Sequence, residues 1–102
     1  MIVEYIRYSL PATGSAAFEA AYAQAADSLE ASTDCIAYEL SRCVEEPTGY
    51  VLRIEWDSIE AHMHGFRKSE PFKAFFAAIK PYLENIEEMR HYQPTAVTRI
   101  KR

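Results

Sequence analysis

Three histidines, two cysteines, one tryptophan and the arginine after Phe66 are the side chains of this sequence best suited to chemistry. On a helix, Ile59, His62, Met63 and Phe66 share one face at i, i+3, i+4 and i+7. The His62 imidazole is therefore expected to point into an apolar pocket. There it can take a proton from an acidic phenol or enol, because imidazole titrates near physiological pH. The resulting electron-rich carbanion would meet oxygen directly, with no metal or flavin. The plainer alternative is a core histidine hydrogen-bonded to a tyrosine or to backbone. Trp56 and Tyr38, inward on neighbouring strands, can line an aromatic slot for a flat substrate or simply pack the core. Phe66 and Phe76 are further candidate substrate contacts. Arg67 can bind an enolate or carboxylate oxygen at the pocket mouth, or serve as a helix-surface charge.

The remaining candidates point away from metals and cofactors. His64 sits roughly 200° around the helix from His62 and should face solvent. That pair is poorly spaced for one helical metal site, where i and i+4 would be wanted. His91 falls on the last strand beside Glu88 and Arg90, at an expected polar rim. No His-x-x-x-His or Cys-x-x-Cys pattern occurs, so no metal is expected. The three glycines are not clustered into a phosphate loop, so no nucleotide cofactor is expected, and none of any other kind. Cys35 and Cys43 lie eight residues apart on one expected strand, about 26 Å at full extension, too far for a disulfide within the chain. They read as reduced thiols with no neighbour to activate them.

Composition narrows the class further. A length of 102 residues suits one domain spanning 1–102, with one core. The formal charge of −4 argues against nucleic-acid binding, which needs a basic face. The start, Met1-Ile2-Val3-Glu4-Tyr5-Ile6, has no basic region or cleavage site, so a cytoplasmic location is expected. No apolar run approaches the roughly 20 residues that span a bilayer, so no membrane partner is expected.

The elements that must hold these residues follow from periodicity. Met1–Tyr8 reads as a strand with Ile2, Glu4, Ile6 and Tyr8 on one face. Ala16 to about Ala31 is Ala-rich and helical, capped by Ser15 or Thr13, with Phe18, Tyr22, Ala25 and Leu29 inward. Cys35–Val44 is a strand with Ile36, Tyr38 and Leu40 on one face. Glu45-Glu46-Pro47-Thr48-Gly49 is hairpin chemistry, and Tyr50–Asp57 alternates as the third strand. Ser58 caps a short helix that Lys68-Ser69-Glu70-Pro71 interrupts and restarts; Phe72, Phe75, Phe76 and Ile79 continue its apolar stripe. Ile86–Tyr92 is the fourth strand. The order is α+β: a ferredoxin-like βαββαβ layout with an antiparallel four-stranded sheet.

One face of such a sheet is left open, carrying Val3, Tyr5, Arg7, Ala37, Ser41, Cys43, Val51, Arg53 and Glu55. That mixture suits a polar-rimmed homodimer interface. The extended tail, residues 93–102, has no partner strand of its own and can pair with the partner subunit's sheet edge.

The stretch Trp56-Asp57-Ser58-Ile59-Glu60-Ala61-His62, followed by Phe66 to Phe75 with its Ser69-x-x-Phe72 turn, resembles the antibiotic biosynthesis monooxygenase (ABM) domain family. The resemblance implies a dimeric α/β barrel with a pocket between helices and sheet. It also implies one of the family's activities: cofactor-independent oxygenation of phenols and anthrones, haem cleavage, or chemistry on small carbonyl compounds. Aligned on Ser69-x-x-Phe72, the Asn, Trp and iron-ligating His of the haem-cleaving branch fall on Ile6, Phe66 and Phe76. All three are apolar here, so haem cleavage is disfavoured. The expected function is cofactor-independent oxygenation of a small aromatic or quinol-like substrate. The alternatives are a non-catalytic module binding a small hydrophobic or aromatic ligand, and an isomerase using His62 as base.

Overall fold

The computed structural model describes residues 1–101. The chain runs β1 (Ile2–Ser9), α1 (Ser15–Ala31), β2 (Cys35–Arg42) and β3 (Gly49–Trp56), then α2 (Glu70–Ile79) and β4 (Ile86–Tyr92). The strands form one antiparallel sheet ordered β2-β3-β1-β4, the α+β layout expected from the periodicity. Alternation decides which face is covered. Ile6 and Tyr8 of β1 and Tyr50, Leu52, Ile54 and Trp56 of β3 are buried against Phe18, Tyr22, Ala25 and Leu29 of α1 and Phe75 and Ile79 of α2.

The core has two chemically different ends, set by the β1–β3 register. At one end Tyr8 pairs with Tyr50, and both rings meet Phe18 at centroid distances of 4.8 Å. Tyr82 and Tyr22 complete that aromatic cluster at 5.0 and 5.1 Å from Phe18. The Tyr8 and Tyr22 hydroxyls are hydrogen-bonded to each other. Toward the other end stand Trp56 and, on β1, the buried Glu4. A carboxylate among inward apolar side chains demands partners, and the next elements supply them.

Four local features depart from the periodic reading. Gly14, not Ser15 or Thr13, precedes α1, and no side chain caps it. A bulge between Cys35 and Ala37 turns Ile36 out to 52% exposure. β2 ends at Arg42, because the turn closes from Glu46 O to the Gly49 N–H at 2.7 Å with Pro47 second in it. The helix after Ser58 is not regular. Ser58 does cap it, its Oγ accepting from the Ala61 N–H at 2.9 Å. Residues Ala61–Gly65 then form a π-helical turn, and the Phe66 N–H reaches back to the carbonyls of Ala61 and His62. A 3-10 turn, Phe66–Lys68, leads into α2.

The extra residue of the π turn narrows its apolar face. His62 and Phe66 are buried, while Ile59 and Met63 keep 46% and 37% exposure. Gly65 lets the turn seat against the residue that precedes β2, since a Cβ there would collide with the Asp34 carboxylate. The tail from Gln93 to Lys101 forms no strand and leaves Val97 and Ile100 largely exposed; Arg102 lies outside the described residues. No helix among the described residues is long and apolar enough to cross a membrane.

Candidate functional site

A cavity of about 230 Å³ opens between the sheet and the irregular segment that carries His62 and Phe66. Its polar lining comes from three elements: Glu4 of β1, His62 of the π turn and His91 of β4, with Arg67 beside them. The sheet register brings two of these together. Glu4 and His91 are direct partners across β1 and β4, so their side chains rise from the same face. The π turn lowers His62 onto them from above.

His62 is held on three sides. Its ring stacks flat on the Trp56 indole, with centroids 4.5 Å apart and planes 9° from parallel. Its Nδ1 meets the His91 Nε2 at 2.7 Å, a contact that holds one proton between the two rings. Its Nε2 lies 3.6 Å from the Glu4 Oε1. That same carboxylate oxygen accepts a hydrogen bond from the Trp56 Nε1–H at 3.1 Å. Glu4, His62 and His91 thus form one continuous chain of contacts, with Glu4 and His62 braced by Trp56.

Burial dominates the electrostatics of this chain. It pushes the Glu4 pKa up to about 7, against the lowering effects of the Trp56 hydrogen bond and the Arg67 charge. It pulls His62 down to about 4, helped by His91 and Arg67. His91 is lowered as well, by burial first and then by Arg67. A charged Glu4–His62 ion pair would shift both groups the other way, so desolvation outweighs their attraction here. Near neutrality His62 is an uncharged imidazole. Glu4 forms no ion pair with a lysine or arginine among the described residues.

The apolar walls come from Trp56, Phe66, Phe72, Phe75 and Phe76. Phe66 anchors them, fully buried with its ring 5.1 Å from Trp56 and 5.5 Å from both Phe72 and Phe75. Arg67 reaches over the Phe72 ring at 5.8 Å and touches the Met63 sulfur at 3.8 Å. Ile6 also lines the cavity.

Of the residues singled out in the sequence, His62, Trp56, Phe66, Arg67 and Phe76 meet in this cavity. Tyr38 does not. It stands opposite Ile54 on the edge strand β2, donates its hydroxyl to Glu30 at 2.9 Å and lines a separate, more open groove against α1. A slot shared by Tyr38 and Trp56 is therefore absent, because the two face different cavities. His64 is exposed, as its helical angle implied. Both cysteines are free. Sequence reasoning missed Glu4 and gave His91 only a rim position. The signal for Glu4 was its place among the inward residues of β1. The signal for His91 required the β1–β4 register. Together with His62 these two also gather one carboxylate and two imidazoles, with donor atoms all within 4.8 Å of one another.

Comparison with known proteins agrees with this architecture. The family model described as antibiotic biosynthesis monooxygenase matches residues 1–78. The curated protein YczJ of Bacillus subtilis (strain 168), itself uncharacterised, is 33% identical over 76 residues, covering 74% of this chain and 80% of that one. A crystal structure from Bordetella bronchiseptica, described as a candidate antibiotic biosynthesis monooxygenase, superposes with a TM-score of 0.74 at 29% identity, covering 92% of this chain and 96% of that one. A variant of SnoaB, a cofactor-independent oxygenase from Streptomyces nogalater, shares the fold with a TM-score of 0.72 at 15% identity, covering 99% and 97% of the two chains.

Proposed function

The chain belongs to the antibiotic biosynthesis monooxygenase family, and from that premise we propose that it oxygenates a small, electron-rich aromatic substrate without a cofactor. The observation that carries this reading is the chain of contacts from His91 through His62 to Glu4, set in the wall of an aromatic cavity. The cavity is smaller than the roughly 300–1,000 Å³ of sites for drug-sized ligands, which favours a phenol or naphthol of one or two rings with hydrogen on its para carbon. Trp56, Phe66 and Phe76 supply flat surfaces against which such a ring can lie.

The chemistry balances with oxygen alone. The Glu4–His62–His91 cluster accepts the phenolic proton, with Glu4, raised to about 7 by burial, a stronger base than His62, and leaves a phenolate whose para carbon is electron-rich. Oxygen adds at that carbon to give a hydroperoxide. Loss of water from it turns the C–H carbon into a carbonyl, so a phenol plus O₂ gives a quinone plus H₂O. Arg67, at the edge of the cavity, favours the anionic oxygen that forms.

Pairing of two chains belongs to the same proposal. The open sheet face joins Arg53 to the Tyr5 hydroxyl at 3.3 Å and stacks Tyr5 edge-on to Tyr92 at 5.4 Å. It thus offers aromatic and arginine groups of the kind enriched at interfaces. The tail, with Val97 and Ile100 bare, gives a second apolar element for a partner subunit. Sedimentation at micromolar concentration should return twice the chain mass, and a monomer would overturn the pairing.

Oxygen uptake with a panel of phenols and naphthols that carry hydrogen at the para carbon tests the reaction. Turnover should appear with at least one substrate and fall in both His62→Ala and His91→Ala. No uptake by the unaltered protein, or uptake indifferent to both substitutions, would overturn the assignment. Ligand-induced thermal stabilisation without turnover would instead mark a binding module.

A further inference from the structure

The same three side chains have a second capacity that the oxygenase reading does not use. We propose that Glu4, His62 and His91 form a binding site for a divalent first-row transition-metal ion, held by one carboxylate oxygen and two imidazole nitrogens.

The donor set is the first argument. One carboxylate and two imidazoles suit zinc, iron, cobalt and manganese; the all-oxygen shells wanted by calcium and magnesium are absent from this cluster. The spacing is the second. Metal–nitrogen bonds of about 2.1 Å in a tetrahedral shell place neighbouring donors about 3.4 Å apart. The present donors lie within 4.8 Å of one another, so the site closes by side-chain movements of about 1–2 Å. Because Glu4 and His91 meet opposite nitrogens of the His62 ring, the ion takes one of those nitrogens and the contact at the other is given up.

The third argument is that two of the three ligands are already fixed in position. Glu4 and His91 rise side by side from paired strands, and Trp56 both stacks on His62 and hydrogen-bonds the Glu4 carboxylate. Outer contacts of this kind orient metal ligands and preserve their affinity. The fourth is charge. Glu4 is 2% exposed and forms no ion pair with lysine or arginine among the described residues, so an ionised carboxylate there lacks a full positive partner. A divalent cation would supply one.

Three protein ligands leave coordination positions free on the cavity side, where an anionic oxygen donor such as a catecholate can enter. The site stands apart from the oxygenase reading, because binding is measured without turnover.

The test is direct titration of chelator-treated protein with Zn²⁺ by calorimetry and with Co²⁺ by visible absorption. One ion per chain should bind with micromolar or tighter affinity, and Co²⁺ should develop ligand-field bands. Glu4→Gln and His91→Ala should each weaken binding by roughly tenfold or more. His64→Ala, which alters an exposed histidine outside the cluster, should leave binding unchanged. Glu4→Gln preserves the side-chain shape and His91 is only half-buried, so unchanged circular dichroism is expected for both. Absence of stoichiometric binding, or binding lost in His64→Ala and retained in His91→Ala, would overturn the site.

Discussion

His62 lies flat on Trp56, and the edge of the same indole donates its N–H to Glu4, so one tryptophan sets both ends of their contact. Packing and polarity cannot be separated at Trp56. The ring fills the base of the cavity while its nitrogen satisfies the most buried carboxylate of the chain.

Trp56→Phe keeps an aromatic face for His62 but removes the donor to Glu4. A buried acceptor that loses its partner costs about 1–3 kcal/mol, and the smaller ring adds a packing loss. Chemical denaturation should show a drop of at least that order. In the Glu4→Gln background the same substitution should cost less, since a neutral amide is cheaper to leave unpaired. Equal costs in the two backgrounds would show that the indole acts by volume alone.

Phe18 and Phe76 separate the core from the site. Phe18 is fully buried and touches four tyrosine rings, so Phe18→Ala should destabilise by about 3–5 kcal/mol. Phe76 is 38% exposed at the cavity edge. Phe76→Ala should change stability far less and instead alter which aromatic ligands bind. A large stability loss in Phe76→Ala would move that residue from the site to the core.

These contrasts show what the sequence made legible. The alternation of Tyr50 to Trp56 and the spacing of Phe18, Tyr22, Ala25 and Leu29 led directly to the sheet and its covering helix. Trp56, His62 and Phe66 could be placed together because a strand end and the following turn are close along the chain. His91 could not be, since its approach to His62 depends on which residue of β1 it faces. Tyr38 failed for a related reason. Parity gave its face correctly, but β2 is the edge strand beside β3, and the cavity lies on the far side of β3, toward β1 and β4. The π turn also escaped periodicity, because one added residue leaves the local composition helical while shifting the register of the face that follows it.

Alkaline pH should strain the opposite end of the core. Burial raises the Tyr8 pKa from 10.0 to about 12, and raises Tyr22 as well. The unfolded chain gives up these protons first. Their stabilising contribution is therefore intact below about pH 10 and is lost as pH rises through about 12. Denaturation midpoints should fall across that window, and Tyr8→Phe should flatten the fall. A midpoint independent of pH there would show that the two hydroxyls reach solvent.

Zinc and turnover should compete. An ion on Glu4, His62 and His91 uses the lone pairs that otherwise accept the substrate's proton. Added Zn²⁺ should suppress oxygen uptake, and a chelator should restore it. Stimulation by Zn²⁺ would mean that the bound ion takes part in the reaction.

Arg67 offers the sharpest separation of the two readings. Its positive charge acts on Glu4, His62 and His91 alike, and it is exposed at the cavity mouth over Phe72. A guanidinium repels a divalent cation and attracts a phenolate, so one substitution should move the two affinities in opposite directions. Arg67→Gln should tighten Zn²⁺ binding a few-fold and weaken binding of an anionic phenol by a similar factor. Both changes should shrink as salt rises, because an exposed charge is screened within about 10 Å at 0.1 M ionic strength. Parallel titrations of Zn²⁺ and a nitrophenolate at two salt concentrations measure this. Affinities that move together would show that Arg67 acts on the shape of the cavity and not through its charge.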